Sequence, residues 1–424
     1  MNICIYTVIT YSFSGFLRMK KIIHCDCDCF FAAVEMRDKP EYKNIPLAIG
    51  GRADRRGVIA TCNYPARQFG VRSAMATAHA LKLCPSLTVI PGEMEKYRNV
   101  SAQIMQIYRE VTECIEPLSL DEAYLDVSGS NLYKGSATRI AQMLRSRVLQ
   151  ETGITISAGV APNKFLAKVA SDWNKPDGLC VITPDQVESF VENLPVRKLH
   201  GVGSKTAEKL QSMGVDTCGD LKTLALSQLT ENFGRFGQRL YELSRGVDDR
   251  DVVTHRVRKS ISVEHTFAAD LLSLDECLSH IPELYRELQQ RFSRYQDERS
   301  IQGLFVKLKF SDFTQTTIEH RTMDHNVLFF SDLMTRGYKR GNKPVRLLGL
   351  GFRLKDLPLT EPLLQGPFLP GPLLQGAMLQ NGMLQSGMLQ SAMLKAPRLK
   401  GFPLKNTFYK NKESEGFQQL SFWY

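Results

Sequence analysis

An α+β protein with more than one domain is predicted by three observations. At 424 residues the chain exceeds what one core usually organises, about 100–200 residues per domain. Up to about residue 183, β-branched apolar runs alternate with stretches of three- and four-residue apolar spacing. Beyond that point the pattern changes twice. Short helical stretches broken by glycine fill 184–248, and a second unit mixing strands with amphipathic helices fills 251–357.

The elements follow in order. KIIHCDCDCF reads as a buried strand, and FFAAVEMRD shifts to helical spacing. IPLAIGG and GVIATCNY read as strands, and ARQFGVRS enters a helix. EKYRNVSAQIMQIYREVTEC is amphipathic and helical. IEPLSLDEAYLDVSG reads as a strand pair around a turn. ATRIAQMLRSRVLQET is a helix and ITISAGVA a strand. In the last unit HRVRKSISVEHTF, GLFVKLKFSDF and PVRLLGLGFRLK read as strands. Residues 1–18 are apolar without a basic start, unlike a secretory leader. Met19, followed by KKIIHCDCD, reads as the better start, and 1–18 as an extension outside the fold; a short extra strand is the alternative.

Lys and Arg exceed Asp and Glu by 54 to 44, a net charge of +10 with a pI near 9.0. The excess fits a polyanion such as nucleic acid, or ordinary surface solubility. Ten cysteines without a regular framework suit reduced thiols and a cytoplasmic protein. No apolar run is long enough for a membrane span. Cys25, Cys27 and Cys29 do not read as zinc ligands. Same-face strand neighbours sit about 6.5 Å apart, and no second Cys or His pair completes a set of four.

A strand would separate those thiols from Asp26 and Asp28 onto opposite faces. A second acidic pair, Asp121 and Glu122, lies in SLDEAYLDV, again among apolar strand residues. If the two strands adjoin, three carboxylates converge with no basic neighbour nearby in sequence. Such a cluster calls for a divalent cation, and all-oxygen ligation suits Mg²⁺; scattered surface acids are the alternative. Adjacent Asp121 and Glu122 share a site only at a strand end or turn.

Other candidates are less specific. Tyr64 and Arg67 lie one helical turn apart, and with Thr61 and Lys175 they are either phosphate partners or ordinary surface polar residues. Phe30 and Phe31 read as core. LHGVGSKTAEKL fits a helix-hairpin-helix in which Gly201 and Gly203 let backbone amides approach a phosphate beside Lys205. HRVRKSISV alternates, with Val257, Ile261 and Val263 on one face and Arg256, Arg258 and Ser260 on the other. That polar face suits a phosphate backbone or plain solvent.

HCDCDCFFAAVEMRD, GVIATCNYPARQFGVRSAM, EPLSLDEAYLDV, APNKFLAKVASDWNKPDG and HGVGSKTAEKL together resemble the Y-family DNA polymerases over about residues 19–357. The family usually carries an apolar residue or Met where Cys25 and Cys27 stand. The resemblance implies a right-hand fold: palm 19–28 and 95–183, fingers 29–94, thumb 184–248, a linker 249–258 and a little finger 259–357. It implies primer extension with dNTPs past damaged template bases, without proofreading. Two Mg²⁺ ions would be held by Asp26, Asp121, Glu122 and the carbonyl of Cys27, with Asp28 structural. Thr61, Tyr64, Arg67 and Lys175 would hold the triphosphate, Phe30 and Phe31 would line the nucleotide site, and Phe31 would be the steric gate against a ribose 2′-hydroxyl. Gly201, Gly203, Lys205, Arg256, Arg258 and Ser260 would contact primer–template DNA. A two-metal nuclease shares the carboxylates, and a non-catalytic DNA-binding scaffold shares the basic thumb.

From 358 to 415 a leucine-rich five-residue repeat runs from Leu364 to Leu404. Neither helix nor strand can bury that period on one side, so the segment reads as a flexible tether. Residues 416–424 close the chain. There Gln419, Leu420, Phe422 and Trp423 resemble the Gln-Leu-Ser-Leu-Phe motif that binds the bacterial sliding clamp, with larger apolar residues in the last two places. Docking of this tail on its own domain is the alternative. A monomer is expected.

Overall fold

The computed structural model describes residues 19–357. The expectations for 1–18, the repeat and the terminal motif fall outside the described residues. Strand β1 (Ile22–Cys27) runs into helix α1 (Phe30–Asp38). Then come β2 (Leu47–Gly50), β3 (Ile59–Cys62), α2 (Tyr64–Gln68), α3 (Thr77–Leu83), β4 (Thr88–Ile90) and α4 (Met94–Arg109). A hairpin of β5 (Ile115–Pro117) and β6 (Glu122–Asp126) leads to α5 (Ala137–Thr152), β7 (Ile156–Ala161), α6 (Lys164–Ser171) and β8 (Leu179–Val181). Five helices follow: α7 (Val187–Glu192), α8 (Ser204–Ser212), α9 (Cys218–Lys222), α10 (Leu226–Phe233) and α11 (Arg235–Leu243). The last unit is β9 (Ser260–Leu271), α12 (Leu274–Ser279), α13 (Ile281–Phe292), β10 (Arg299–Phe310), β11 (Gln315–His320), α14 (Val327–Gly341) and β12 (Val345–Asp356).

The strands form three sheets, ordered β5-β6-β1-β7-β8, β3-β2-β4 and β11-β10-β12-β9. The expected α+β class holds. In the five-stranded sheet β1 is central and antiparallel to both neighbours, and both of its faces are covered, which is why its sequence is nearly all apolar or small. Ile23, Cys25 and Cys27 pack with Tyr97 and Ile104 of α4 and Ile140 and Leu144 of α5. Burial pushes the Cys25 thiol up to about 12, so it stays protonated and serves as packing. Ile22 of the opposite face packs with Phe165 and Leu166 of α6, in a core shared with Leu210, Leu229 and Leu240 of the five-helix unit. The four-stranded sheet has its own core around Ile261, Leu308, Phe330 and Phe352.

One glycine fixes how closely α6 approaches the sheet. A Cβ on Gly159 of β7 would lie 2.0 Å from the Ala167 carbonyl oxygen and 2.4 Å from the Ser171 nitrogen. Helix α6 therefore lies flush on the face that carries His24 and Asp26.

Two element assignments need correction. Helix α2 stops at Gln68, because Gly70 turns the chain at φ 86° where ARQFGVRS suggested continuation. Strand β9 starts at Ser260 rather than His255, since its pairing with β12 runs out at Arg353 opposite Ser260. Arg256, Val257 and Arg258 precede the strand, and Val257 is 43% exposed rather than turned to a core. Alternation alone does not reveal where the partner strand ends.

Candidate active site

Asp26 and Glu122 face each other as a cross-strand pair of β1 and β6. Asp121 occupies the turn just before β6, which resolves the difficulty of two adjacent carboxylates reaching one site. That turn is pinned to β1 by the Cys27 N–H, which donates to the Asp121 carbonyl at 2.9 Å. The Ser119 hydroxyl donates to the Asp121 carboxylate and accepts from the Glu122 N–H at 3.2 Å.

No basic residue stands near these carboxylates in the local sequence, and the fold supplies basic partners from a distance. Lys175 Nζ lies 2.6 Å from Asp26 and 2.8 Å from Asp172. Lys168 pairs with Glu122, and Lys164, four residues earlier on the same face of α6, pairs with Glu116. These partners stand more than 40 positions away in sequence and arrive by packing of α6. His24, also missed, is fully buried. Its Nδ1 meets the Ser171 hydroxyl at 2.8 Å, and its Nε2 lies 3.3 Å from Glu122. Two lysines at i and i+4 on one short helix were the available signal.

The compensation is uneven. Burial pushes Glu122 up, but His24 and Lys168 more than offset it and hold the carboxyl at about 2. For Asp26 and Asp121 burial prevails and their pKa values rise, despite Lys175 beside the first and Ser119 beside the second. Asp26 and Asp121, whose charged forms burial disfavours, are the carboxylates that a bound cation would stabilise most. Among the described residues His24, Asp26 and Glu122 each offer one ligand atom within 4.8 Å of the others, an imidazole nitrogen and two carboxylate oxygens; Asp121, at the adjoining turn, is not in that group. The residues fit a divalent cation of the Mg²⁺ type.

Asp28 belongs to a different network. It is 2% exposed and accepts from Ser157 Oγ at 2.8 Å, the Asp177 N–H at 2.7 Å and the Tyr64 hydroxyl at 3.3 Å. It thus ties β1 to β7, to the loop that carries Lys175 and to α2. Arg67 stacks over the Tyr64 ring at 4.7 Å and donates to the Cys62 carbonyl. Thr61, in β3, is half-buried. Phe30 and Phe31 are both buried; Phe31 lies nearly parallel to the Tyr97 ring at 4.2 Å, and the Tyr97 hydroxyl donates to Glu35 at 2.7 Å.

The remaining candidates lie on other elements. Gly201, Gly203 and Lys205 are exposed at the start of α8, and Gly201 at φ 93° adopts a backbone that favours glycine. Arg256 and Arg258 lead into β9 with Ser260, and Arg258 sits 5.1 Å over the Tyr295 ring. Gln419, Leu420, Phe422 and Trp423 lie outside the described residues. Among the described residues no helix is long and apolar enough to cross a membrane.

The impB/mucB/samB family matches residues 25–172, the thumb domain of DNA polymerase-iota matches 197–248, and the impB/mucB/samB family C-terminal domain matches 258–355. A DNA polymerase IV of Ectopseudomonas mendocina (strain ymp) is 56% identical over 341 residues, covering 80% of this chain and 97% of that protein. A DNA polymerase IV of Shewanella oneidensis is 56% identical over 342 residues, with 80% and 96% covered. The solved structure of the Y-family DNA polymerase chimera Dbh-Dpo4(243-245)-Dbh superposes with a TM-score of 0.71 at 27% identity, over 78% of this chain and 98% of that one. The chain belongs to the Y family of DNA polymerases, among its DNA polymerase IV members.

Proposed function

We propose that Asp26, Asp121, Glu122 and the carbonyl of Cys27 hold two Mg²⁺ ions, and that the chain uses them to extend primers with dNTPs past damaged template bases. The family's activity, DNA-directed DNA synthesis, is this chain's activity; the residue roles are our reading of it. The observation that carries them is the Asp26–Glu122 cross-strand pair, with Asp121 at the adjoining turn. When bound, the ions would favour the deprotonated primer 3′-hydroxyl and neutralise charge gathering at the α-phosphate as pyrophosphate leaves. Lys175 and Arg67, with Tyr64 and Thr61, would orient the triphosphate. Gly201, Gly203 and Lys205 of the thumb (184–248), and Arg256, Arg258 and Ser260 at the entry to the little finger (259–357), would grip DNA phosphates irrespective of sequence. The palm would comprise 19–28 and 95–183 and the fingers 29–94, in a cytoplasmic monomer. Incorporation of labelled dNTP on a primed, lesion-bearing template tests this. Shortening of the primer would favour a nuclease, and binding without turnover a scaffold.

Phe31 would exclude ribonucleotides. Its ring is only 7% exposed and is held against Tyr97, so it is a fixed wall rather than a mobile side chain. Phe31→Ala should raise rNTP relative to dNTP incorporation by at least about tenfold, since rejecting one hydroxyl by shape is worth on the order of 1–3 kcal/mol. Phe31→Leu, which keeps bulk, should change the ratio less. Equal ratios in a direct competition assay for wild type and both variants would leave Phe31 as core alone.

The tail would tether the enzyme to the sliding clamp through Gln419, Leu420, Phe422 and Trp423. Residues 358–415 would serve as the linker, which raises the local concentration of the enzyme at the primer end. Deleting residues 417–424 should leave extension on short primers unchanged and abolish stimulation by a loaded clamp. Full stimulation of the truncated enzyme would assign tethering to another surface.

A further inference from the structure

The turn between β10 and β11 breaks a local rule of chain conformation. Phe310 N–H donates to the Thr314 carbonyl at 2.9 Å, and Lys309 pairs with Gln315, so Ser311, Asp312 and Phe313 form a three-residue hairpin loop. The last residue of such a loop normally adopts a left-handed backbone and is normally glycine. Here it is Phe313, at φ 67°. A bulky aromatic is among the residues least suited to that conformation. Nor is its ring repaid by burial, because Phe313 is 60% exposed. A local conflict that burial does not offset points to a role in binding.

The surroundings indicate which ligand. Lys309 Nζ and the Arg346 guanidinium each lie 4.9 Å from the centre of the Phe313 ring. An exposed aromatic ring with two long, mobile cationic side chains over it suits an unpaired nucleotide: the ring for the base, once a cation swings aside, and positive charge for its phosphates. Position narrows the choice further. Asp270, near the end of β9, is bonded to Arg56 at 2.5 Å, and Arg346 feels the charges of both. The end of the little-finger sheet that carries Phe313 therefore abuts the turn just before β3, the strand that bears Thr61.

We propose that Phe313 stacks on an unpaired base of the template strand ahead of the nascent pair, with Lys309 and Arg346 on the flanking phosphates. The ring would hold the incoming template as it passes between fingers and little finger. This rests on the DNA polymerase reading and adds to it a site for single-stranded template, separate from the duplex contacts.

The test compares two primer–templates of equal duplex length, one with a 5′ template overhang and one blunt, by fluorescence anisotropy with the full chain. Wild type should prefer the overhang. Phe313→Gly should reduce that preference at least about fivefold, the lower end of what stacking a base on an aromatic side chain contributes, while Phe313→Trp preserves it. The Tm of Phe313→Gly should not fall below wild type, since glycine suits the backbone better. A preference unchanged in Phe313→Gly overturns the proposal. So does an equal loss on both DNAs, which would make the ring a mere holder of two duplex-binding cations. Wild-type protein that binds neither DNA would overturn the underlying polymerase reading as well.

Discussion

Asp121→Asn should abolish primer extension, lowering turnover by about a thousandfold or more, while primer–template affinity stays within about twofold of wild type. The rate term follows from losing a ligand to ions whose stabilisation of developing charge is worth several kcal/mol. The affinity term follows because binding rests on phosphate contacts, and the basic residues assigned to them lie on the thumb and the little-finger entry. A third expectation comes from the electrostatics of the site. Burial pushes the Asp121 carboxyl up, and its only side-chain hydrogen-bond partner among the described residues is Ser119. An amide keeps the shape and leaves the backbone bond from Cys27 untouched. Without metal the variant should melt no lower than wild type, because a poorly compensated buried charge has been removed. Extension near the wild-type rate would take Asp121 out of the site. A large drop in Tm would mean that the carboxylate serves the fold.

The carboxylates illustrate how much of this molecule is legible in its sequence. The β1 strand, the β5–β6 hairpin and helix α5 were readable because each has a clean period and marked ends. In α5 the Ser136 side chain caps the first turn, accepting from Arg139, and Gly153 at φ 69° closes the last. The pairing of Asp26 with Glu122 was not readable from period or spacing, since nothing local specifies which strands adjoin across so long a separation. Resemblance to a family supplied it. Lys168 and His24 were missed for the same reason: their role depends on how closely α6 lies on β7, which depends on Gly159. The false start assigned to β9 is the converse case, a strong local pattern that runs past the end of its partner.

Asp248 was invisible to sequence reading, and neutralising it should produce the largest loss of stability among the changes discussed. Its side chain is fully buried. It accepts from Arg239 at 2.7 Å, from Arg250 at 2.8 and 2.9 Å, and from the Phe165 N–H at 2.9 Å. One carboxylate thus satisfies two arginines and one of the free amides at the start of α6, the helix that brings Lys168 and Ser171 to the active site. Removing one partner of a buried, hydrogen-bonded charge pair costs about 3–5 kcal/mol. Arg239 and Arg250 are 24% and 43% exposed, so water screens them in part, and Asp248→Asn should cost about 2–3 kcal/mol, or roughly 4–8 °C in Tm. The pH dependence gives an independent check. Burial pushes the Asp248 carboxyl up, but the hydrogen bonds and charges of Arg250 and Arg239 more than offset that and hold it at about 2, against about 3.9 in an unfolded chain. Because the folded value is the lower one, the stabilisation is complete above about pH 4 and is lost as pH falls through 4 toward 2. The stability gap between wild type and Asp248→Asn should therefore be constant from about pH 8 to 5 and close below about pH 4, as followed by denaturant unfolding at each pH. A gap that is absent at pH 7, or that persists unchanged to pH 3, would mean that the charge of Asp248 does not hold the start of α6 in place.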